Sequence, residues 1–405
     1  MKKLISVWLI FCLIAFSGCS STKEPEKKKQ ESERTTVTAK ENEYRAIWLS
    51  YLELSFAGKT EEQFQKDIDA RFDNIKNAGL NTVILHVRAN CDAIYPSDIF
   101  PFSAVAFGGE TPSFDPLKYM VASAKEKGLR VEAWINPYRV SGSNKDITAL
   151  DEKSPARIWL EDGDAANDNN VLFWGDGIYL NPASAEVRSL IRNGILELLE
   201  NYNIDGIQFD DYFYPTADPD FDEGSYNEYK ASGGVSMSLE EWRRTNVSLL
   251  LSECYKAIHK YEGKTFGISP AAAVSTDKTD KNYAEYFADI YAWMENEGYI
   301  DYIAPQLYFG FDYPDESFRF ERLLEQWRKA ERSETVKLYI GLDAYKIGLE
   351  DSGSREWIES EGILSRQISS LRKKGADGYI IYSYSGLFSE NTKNKQELEN
   401  IKEMN

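Results

Sequence analysis

Eight times between residues 44 and 384 the chain repeats one unit: an apolar run of five to eight residues, a polar loop, and a longer amphipathic stretch. An apolar run that short, bounded by turn residues, reads as a strand buried on both faces, and the stretches between read as helices. The runs are 44–51, 81–87, 130–136, 204–210, 265–269, 302–308, 337–343 and 378–384. The helical stretches are 61–78, 116–127, 185–202, 239–261, 283–297, 317–332, 357–374 and 393–404, several stopping at a glycine such as Gly79, Gly128 or Gly375. Strand and helix alternate without a linker, which predicts one α/β domain, and eight is the count that closes a parallel (β/α)8 barrel. A doubly wound open sheet is the rival, but no glycine-rich phosphate loop follows the first strand. The longest loops follow strands 3 and 4, at 137–181 and 211–237, and overhang the C-terminal mouth where barrel enzymes keep their reacting groups.

Residues two apart on a strand face the same side, and the polar ones near the C-terminal ends share one parity. That parity predicts a mouth lined by Trp48, Ser50, His86, Arg88, Asn136, Gln208, Asp210, Ser269, Gln306, Tyr308, Asp343 and Tyr384. The fourth run ends in Asp210 and Asp211, followed by Tyr212, Tyr214 and Pro215. A lone Asp after a strand commonly caps the next helix, but residues 212–238 read as a long polar loop, so the pair reads as a site. In the loop after strand 3, Trp159, Phe173, Trp174 and Tyr179 suit a wall against a polymer, or the packing of that loop on its own helix.

Lys2 and Lys3, the apolar run 4–16 and Ser17-Gly18-Cys19 read as an export signal whose small residues precede a cysteine to be lipidated. Residues 1–18 are then a lipoprotein signal peptide, 19–42 a charged, solvated tether, and 43–405 the folded catalytic domain. The expected location is the outer face of the cell membrane, held there by a lipid anchor on Cys19. The formal charge is −19, and losing Lys2 and Lys3 makes it more negative by two. That argues against nucleic acid as a partner. Cys91 and Cys254 are too few for a disulfide framework; His86 and His259 form no zinc spacing with them, so no metal and no other cofactor is expected.

Six segments together resemble the glycosyl hydrolase-like 10 family. They are Arg45-Ala-Ile-Trp-Leu-Ser50, Val87-Arg-Ala-Asn-Cys-Asp-Ala-Ile-Tyr-Pro-Ser97, Ala133-Trp-Ile-Asn-Pro-Tyr-Arg139, Tyr179-Leu-Asn-Pro182, Asp205-Gly-Ile-Gln-Phe-Asp-Asp-Tyr-Phe-Tyr-Pro215 and Ile303-Ala-Pro-Gln-Leu-Tyr308. The resemblance runs from about residue 44 to at least 327. It implies a (β/α)8 barrel distantly related to the alpha-amylase group, on exported or lipid-anchored bacterial proteins. It also implies a glycan substrate, with peptidoglycan strands stripped of their peptides as the first guess. The family commonly carries His at the positions of Gln208 and Glu132. The fourth run is also similar to the Asp-Gly-x-x-x-Asp-x-Glu strand of family-18 chitinases, with Tyr212 at the acid position.

Glycosidic cleavage needs one carboxyl to protonate the leaving oxygen and a second to attack, stabilise charge or activate water. Asp210, inward by parity, is the expected nucleophile or base. Asp211 points the other way, to cap or to bind a neighbouring hydroxyl. Asp92 after strand 2 and Asp343 on strand 7 are the candidates for the acid. Arg88 and Arg139 suit holding carboxylates ionised, clamping a substrate carboxylate, or a structural ion pair. Trp48, Asn136, Tyr138, Gln208, Tyr212, Gln306 and Tyr308 are the remaining expected sugar contacts. The expectation is a lipid-anchored glycoside hydrolase acting on a cell-wall or surface glycan with no known protein partner. The alternative is a carbohydrate-binding lipoprotein without turnover.

Overall fold

A computed structural model describes residues 38–40, 42–210, 213–233 and 236–405. The expected lipidation site Cys19, the expected signal and all but a few tether residues lie outside the described residues, as do Asp211 and Tyr212.

Among the described residues eleven strands occur, β1 Tyr44–Leu49, β2 Thr82–Arg88, β3 Arg130–Ile135, β4 Arg139–Ser141, β5 Val171–Trp174, β6 Gly177–Leu180, β7 Gly206–Phe209, β8 Thr265–Ile268, β9 Tyr302–Ile303, β10 Lys337–Asp343 and β11 Gly378–Tyr382. Eight of them close a barrel in the order β1-β11-β10-β9-β8-β7-β3-β2, every neighbouring pair parallel. Ile47 of β1 lies opposite Val83 on one side and Ile381 on the other, so the barrel seals at the first and last strands. All seven residues of β2 are buried, as expected of a strand covered on both faces.

The helices start where their sequences say they should. Thr60 and Gln63 form a reciprocal capping box on Glu61–Asn77, Asp115 caps Pro116–Glu126, and Ser238 pairs with Glu241 at the head of Leu239–Ile258. Two expected helices are broken: 283–297 gives way around Phe287, whose φ is 52°, and 357–374 is interrupted before Gly362 at φ 125°. The sixth barrel strand is shorter than expected because Pro305 has no N–H for the ladder, leaving an isolated bridge at Gln306.

One apolar layer lies between barrel and helices, and a second cluster fills the barrel axis with Tyr44, Ala46, Trp48, Ile84, Tyr302, Ala304 and Ile380. Gly267 makes room for this inner cluster, since a Cβ there would come within 2.1 Å of the Tyr302 ring. The loop after β3 folds into a small antiparallel sheet of order β4-β6-β5. The loop after β7, expected to be irregular, carries the helix Glu223–Ala231. A fully buried ion pair pins it: Arg243 Nε donates to Asp222 at 3.0 Å, and Nη2 donates to the Asp218 carbonyl at 2.8 Å.

Candidate active site at the barrel mouth

β7 delivers Asp210 to the C-terminal rim, 4% exposed. Across the adjacent strand pair, Trp134 of β3 donates its Nε1 hydrogen to Asp210 Oδ2 at 3.3 Å and to Asn136 Oδ1 at 3.1 Å. The indole therefore joins the two expected polar residues. Its other face stacks on His86 at 3.6 Å, and His86 meets the edge of Tyr51 at 5.1 Å. Burial, then the charge of Arg139, hold the His86 imidazole well below its ordinary pKa, so it is neutral.

Aromatic rings make the rest of the mouth. Tyr308 stacks on Tyr382 at 5.8 Å, Tyr345 meets both edge-on, and Tyr382 reaches Trp48 at 6.2 Å and Trp134 at 6.5 Å. Gln306 is fixed at the rim by donating to the Ser269 carbonyl at 2.9 Å. Asn136, Asp210, Gln306 and Tyr308 thus share one end of the barrel. Polar groups set among aromatic faces suit a sugar, whose ring faces are apolar and whose edges carry hydroxyls. Trp134, Tyr51, Tyr345 and Tyr382 were not among the expected site residues, although Trp134 has the parity of Asn136 and lies in the same quoted segment.

A cavity of about 510 Å³ opens beside the mouth and is lined by Tyr51, Asp92, Arg139 and residues of the β2 and β3 loops. Asp92 accepts the Asn90 N–H at 3.1 Å, yet burial raises its pKa above the usual carboxylate range. Arg139 donates Nε to the Ala89 carbonyl at 2.9 Å and lies over the Tyr51 ring.

Several expected contacts lie elsewhere. Arg88 does not face the mouth: the ladder slips between His86 and Arg88, a bulge that turns the side chain outward over Phe100. Gly194 accommodates it there, since a Cβ would approach the guanidinium to 2.7 Å. Tyr138 is also buried behind the barrel wall, because its carbonyl is taken by Leu180 of the small sheet and its ring packs in the outer core. Gln208 is wholly buried and Trp48 is 3% exposed, so they form the floor beneath the mouth rather than a sugar-contacting rim. Glu132 lies deeper still, accepting from Tyr302 Oη at 2.5 Å. Tyr384 sits outside, its hydroxyl bonded to Asn74 of the helix Glu61–Asn77, and Tyr382 takes the inward place. Tyr214 packs under its own loop against Phe221 and Phe287. Of the loop aromatics, Trp174 and Tyr179 pack on Phe221, whereas Phe173 is 44% exposed.

Asp343 ends β10 beside Tyr382 but is completely enclosed, 3.5 Å from Lys346 Nζ. Burial raises its pKa to about 7 even against that lysine. Among the described residues, no group of three or more His, Cys, Asp or Glu is arranged to hold a metal ion.

The fold is similar to the PgaB (BpsB) glycoside hydrolase domain from Bordetella bronchiseptica, with a TM-score of 0.55 at 15% identity, covering 87% of this chain and 98% of that one. It is also similar to the catalytic domain of beta-amylase from Paenibacillus polymyxa, at 0.57 and 12%, covering 90% and 98%. In sequence it is 32% identical over 318 residues to glycosyl hydrolase DigH of Escherichia coli (strain K12), covering 74% of this chain and 70% of that protein. Glycosyl hydrolase YngK of Bacillus subtilis (strain 168) is 33% identical over 328 residues, or 76% of this chain and 62% of that protein. A model of the glycosyl hydrolase-like 10 family matches residues 43–359, and the chain belongs to that family.

Proposed function

We propose that this protein is a glycoside hydrolase that cleaves O-glycosyl bonds in a bacterial envelope glycan, with peptide-free peptidoglycan strands as the first substrate to try. The carrying observation is the carboxylate of Asp210 at the mouth, oriented by Trp134 Nε1 at 3.3 Å and ringed by tyrosines. In this reading Asp210 attacks the anomeric carbon or activates water, and its charge stabilises the oxocarbenium-like transition state. Asp92 is our choice of proton donor. It faces the open cavity, and burial keeps its proton on to a higher pH than a free carboxyl would. Burial raises the pKa of Asp343 as well, but no face of it is open to a substrate. Trp134 and Asn136 position Asp210, while Tyr308, Tyr382 and Gln306 meet the sugar.

The Ser-Gly-Cys19 segment supports secretion and lipid anchoring on the outer face of the membrane. A second reading, a carbohydrate-binding protein without turnover, draws on the enclosure of Asp343, which removes one of the two candidate acids. Product analysis on purified peptide-free glycan strands separates the two. Shortened strands from the wild type and none from Asp210→Asn support the hydrolase, and strands bound but never cut support the binding protein.

A further inference from the structure

The aromatic rings of the mouth grow more exposed from floor to rim. Trp48 is 3% exposed. Tyr382, 6.2 Å from it between ring centroids, is half-buried, and so is Tyr308, stacked on Tyr382 at 5.8 Å. Trp134, the ring that donates to Asp210, is half-buried too and lies 6.5 Å from Tyr382. Tyr345 meets Tyr382 and Tyr308 edge-on at 6.0 and 6.3 Å and is 44% exposed, the outermost ring of the set. It stands on the loop after β10, and that loop is pinned. Lys346 Nζ donates to the Tyr308 carbonyl at 2.6 Å and to Asp351 at 2.9 Å, while the Ala344 N–H donates to the Tyr382 carbonyl at 2.7 Å. Behind it the helix Tyr384–Leu387 packs so closely that a Cβ on Gly386 would come within 2.7 Å of the Tyr345 nitrogen. The backbone that carries the most open ring is therefore tied to the residues that carry the next two.

We infer that Tyr345 is the stacking face of a further sugar subsite, for a glycan residue beyond the two that flank the cleaved bond, so that the chain leaves the mouth over the loop after β10. The inference rests on the hydrolase reading and deepens it. The occupant is a pyranose ring, whose apolar face covers an open aromatic face while its hydroxyls stay in water. A ring on a pinned backbone loses little freedom when a sugar settles on it, so more of the contact survives as affinity. Lys346, 5.9 Å from the centroid of the Tyr345 ring, is already engaged by Asp351 and the Tyr308 carbonyl. The subsite thus works by stacking rather than by ion pairing, and it accepts strands with or without carboxylates.

The test compares Tyr345→Ala, which removes the ring, with Tyr345→Phe, which keeps its face. The probe is purified peptide-free peptidoglycan strands, separated by size into long fragments and the shortest fragment that is cut. For the full-length protein kcat/KM is measured on both sizes, and the dissociation constant of the long fragments is measured in an Asp210→Asn background. Tyr345→Ala should lower kcat/KM on long fragments and weaken their binding by roughly 3- to 10-fold, the value of one aromatic contact, with a smaller loss on the shortest fragment. Tyr345→Phe should stay within about twofold of wild type on both sizes, because stacking needs the ring and not the hydroxyl. Thermal unfolding of each variant is followed in parallel, since a merely structural role would penalise both sizes alike. Equal losses on the two sizes, no loss in Tyr345→Ala, or a Tyr345→Phe as impaired as Tyr345→Ala each overturns the subsite and leaves the hydrolase reading standing. Strands bound but never cut by the wild type fail the hydrolase reading, and the dissociation constants of the Ala and Phe variants then decide the subsite alone. Strands neither bound nor cut overturn both.

Discussion

The indole Nε1 of Trp134 lies 3.3 Å from Asp210 Oδ2, a contact between two neighbouring barrel strands that fixes how the carboxylate meets anything entering the mouth. The same N–H also reaches Asn136, so the tryptophan acts as the hinge pin of the polar cluster.

Replacing Asp210 by Asn should leave glycan binding nearly unchanged and lower kcat by roughly 10³-fold or more, since the lost charge matters chiefly in the transition state. Trp134→Phe keeps the ring face but removes the donor. It should cost about 10- to 100-fold in kcat with little change in KM, the value of a hydrogen bond to a charged group. An Asp210→Asn enzyme that turns over at the wild-type rate defeats the assignment.

Asp92 must carry its proton to act, so activity should fall as pH rises through its pKa, which burial moves upward. Asp92→Asn should remove that alkaline limb and slow ordinary glycans. An aryl glycoside with a good leaving group should be cut with much of the rate retained, because it needs no protonation. Equal slowing of both substrates would point to a binding role instead.

Asp343 supplies a stability prediction that does not depend on catalysis. Burial pushes its carboxyl up to about 7 in the fold from an ordinary value of about 3.8, so the folded state binds the extra proton. Its contribution should be most favourable below about pH 4, weaken as pH rises to about 7, and stay constant above, by at most about 4 kcal/mol. Comparing urea unfolding of wild type and Asp343→Asn across that window isolates the effect. The variant should gain relative stability as pH rises, and a pH-independent difference would rule out the shift.

The Arg243–Asp222 pair is wholly buried, so removing one partner strands the other charge. Arg243→Leu should destabilise the domain by about 3–5 kcal/mol in urea unfolding, and adding Asp222→Leu should recover part of that loss.

Cys19→Ala should release the protein from cell membranes into the soluble fraction, assayed by fractionation and immunoblot. Retention of the variant on membranes would end the lipoprotein proposal.

The barrel was legible because each of its strands is a short apolar run buried on both faces, and the C-cap glycines mark where the helices stop. The site was legible where strand parity holds: Asn136 and Asp210 both accept from the Trp134 N–H at the same end of the barrel, and Trp134 could have been found by stepping two residues back from Asn136. Parity failed at Arg88, because a bulge is a feature of the ladder rather than of side-chain type, and at Tyr138, whose backbone is claimed by a small sheet assembled from distant segments. The enclosure of Asp343 depends on side chains brought in by other loops, and no spacing announces it.

The hydrogen bonds along the barrel axis all run one way. Trp48 Nε1 donates to Gln208 Oε1 at 2.5 Å, Gln208 Nε2 donates to Tyr302 Oη at 3.1 Å, and Tyr302 donates to Glu132 at 2.5 Å. Flipping the Gln208 amide would set donor against donor at Trp48, and Tyr302, whose hydrogen goes to Glu132, can only accept from Gln208, so both ends of the chain fix which way the floor of the mouth is polarised. The barrel interior therefore behaves as a keyed stack, in which the indole at the floor of the mouth is held in register with a carboxyl group buried near the base of the barrel.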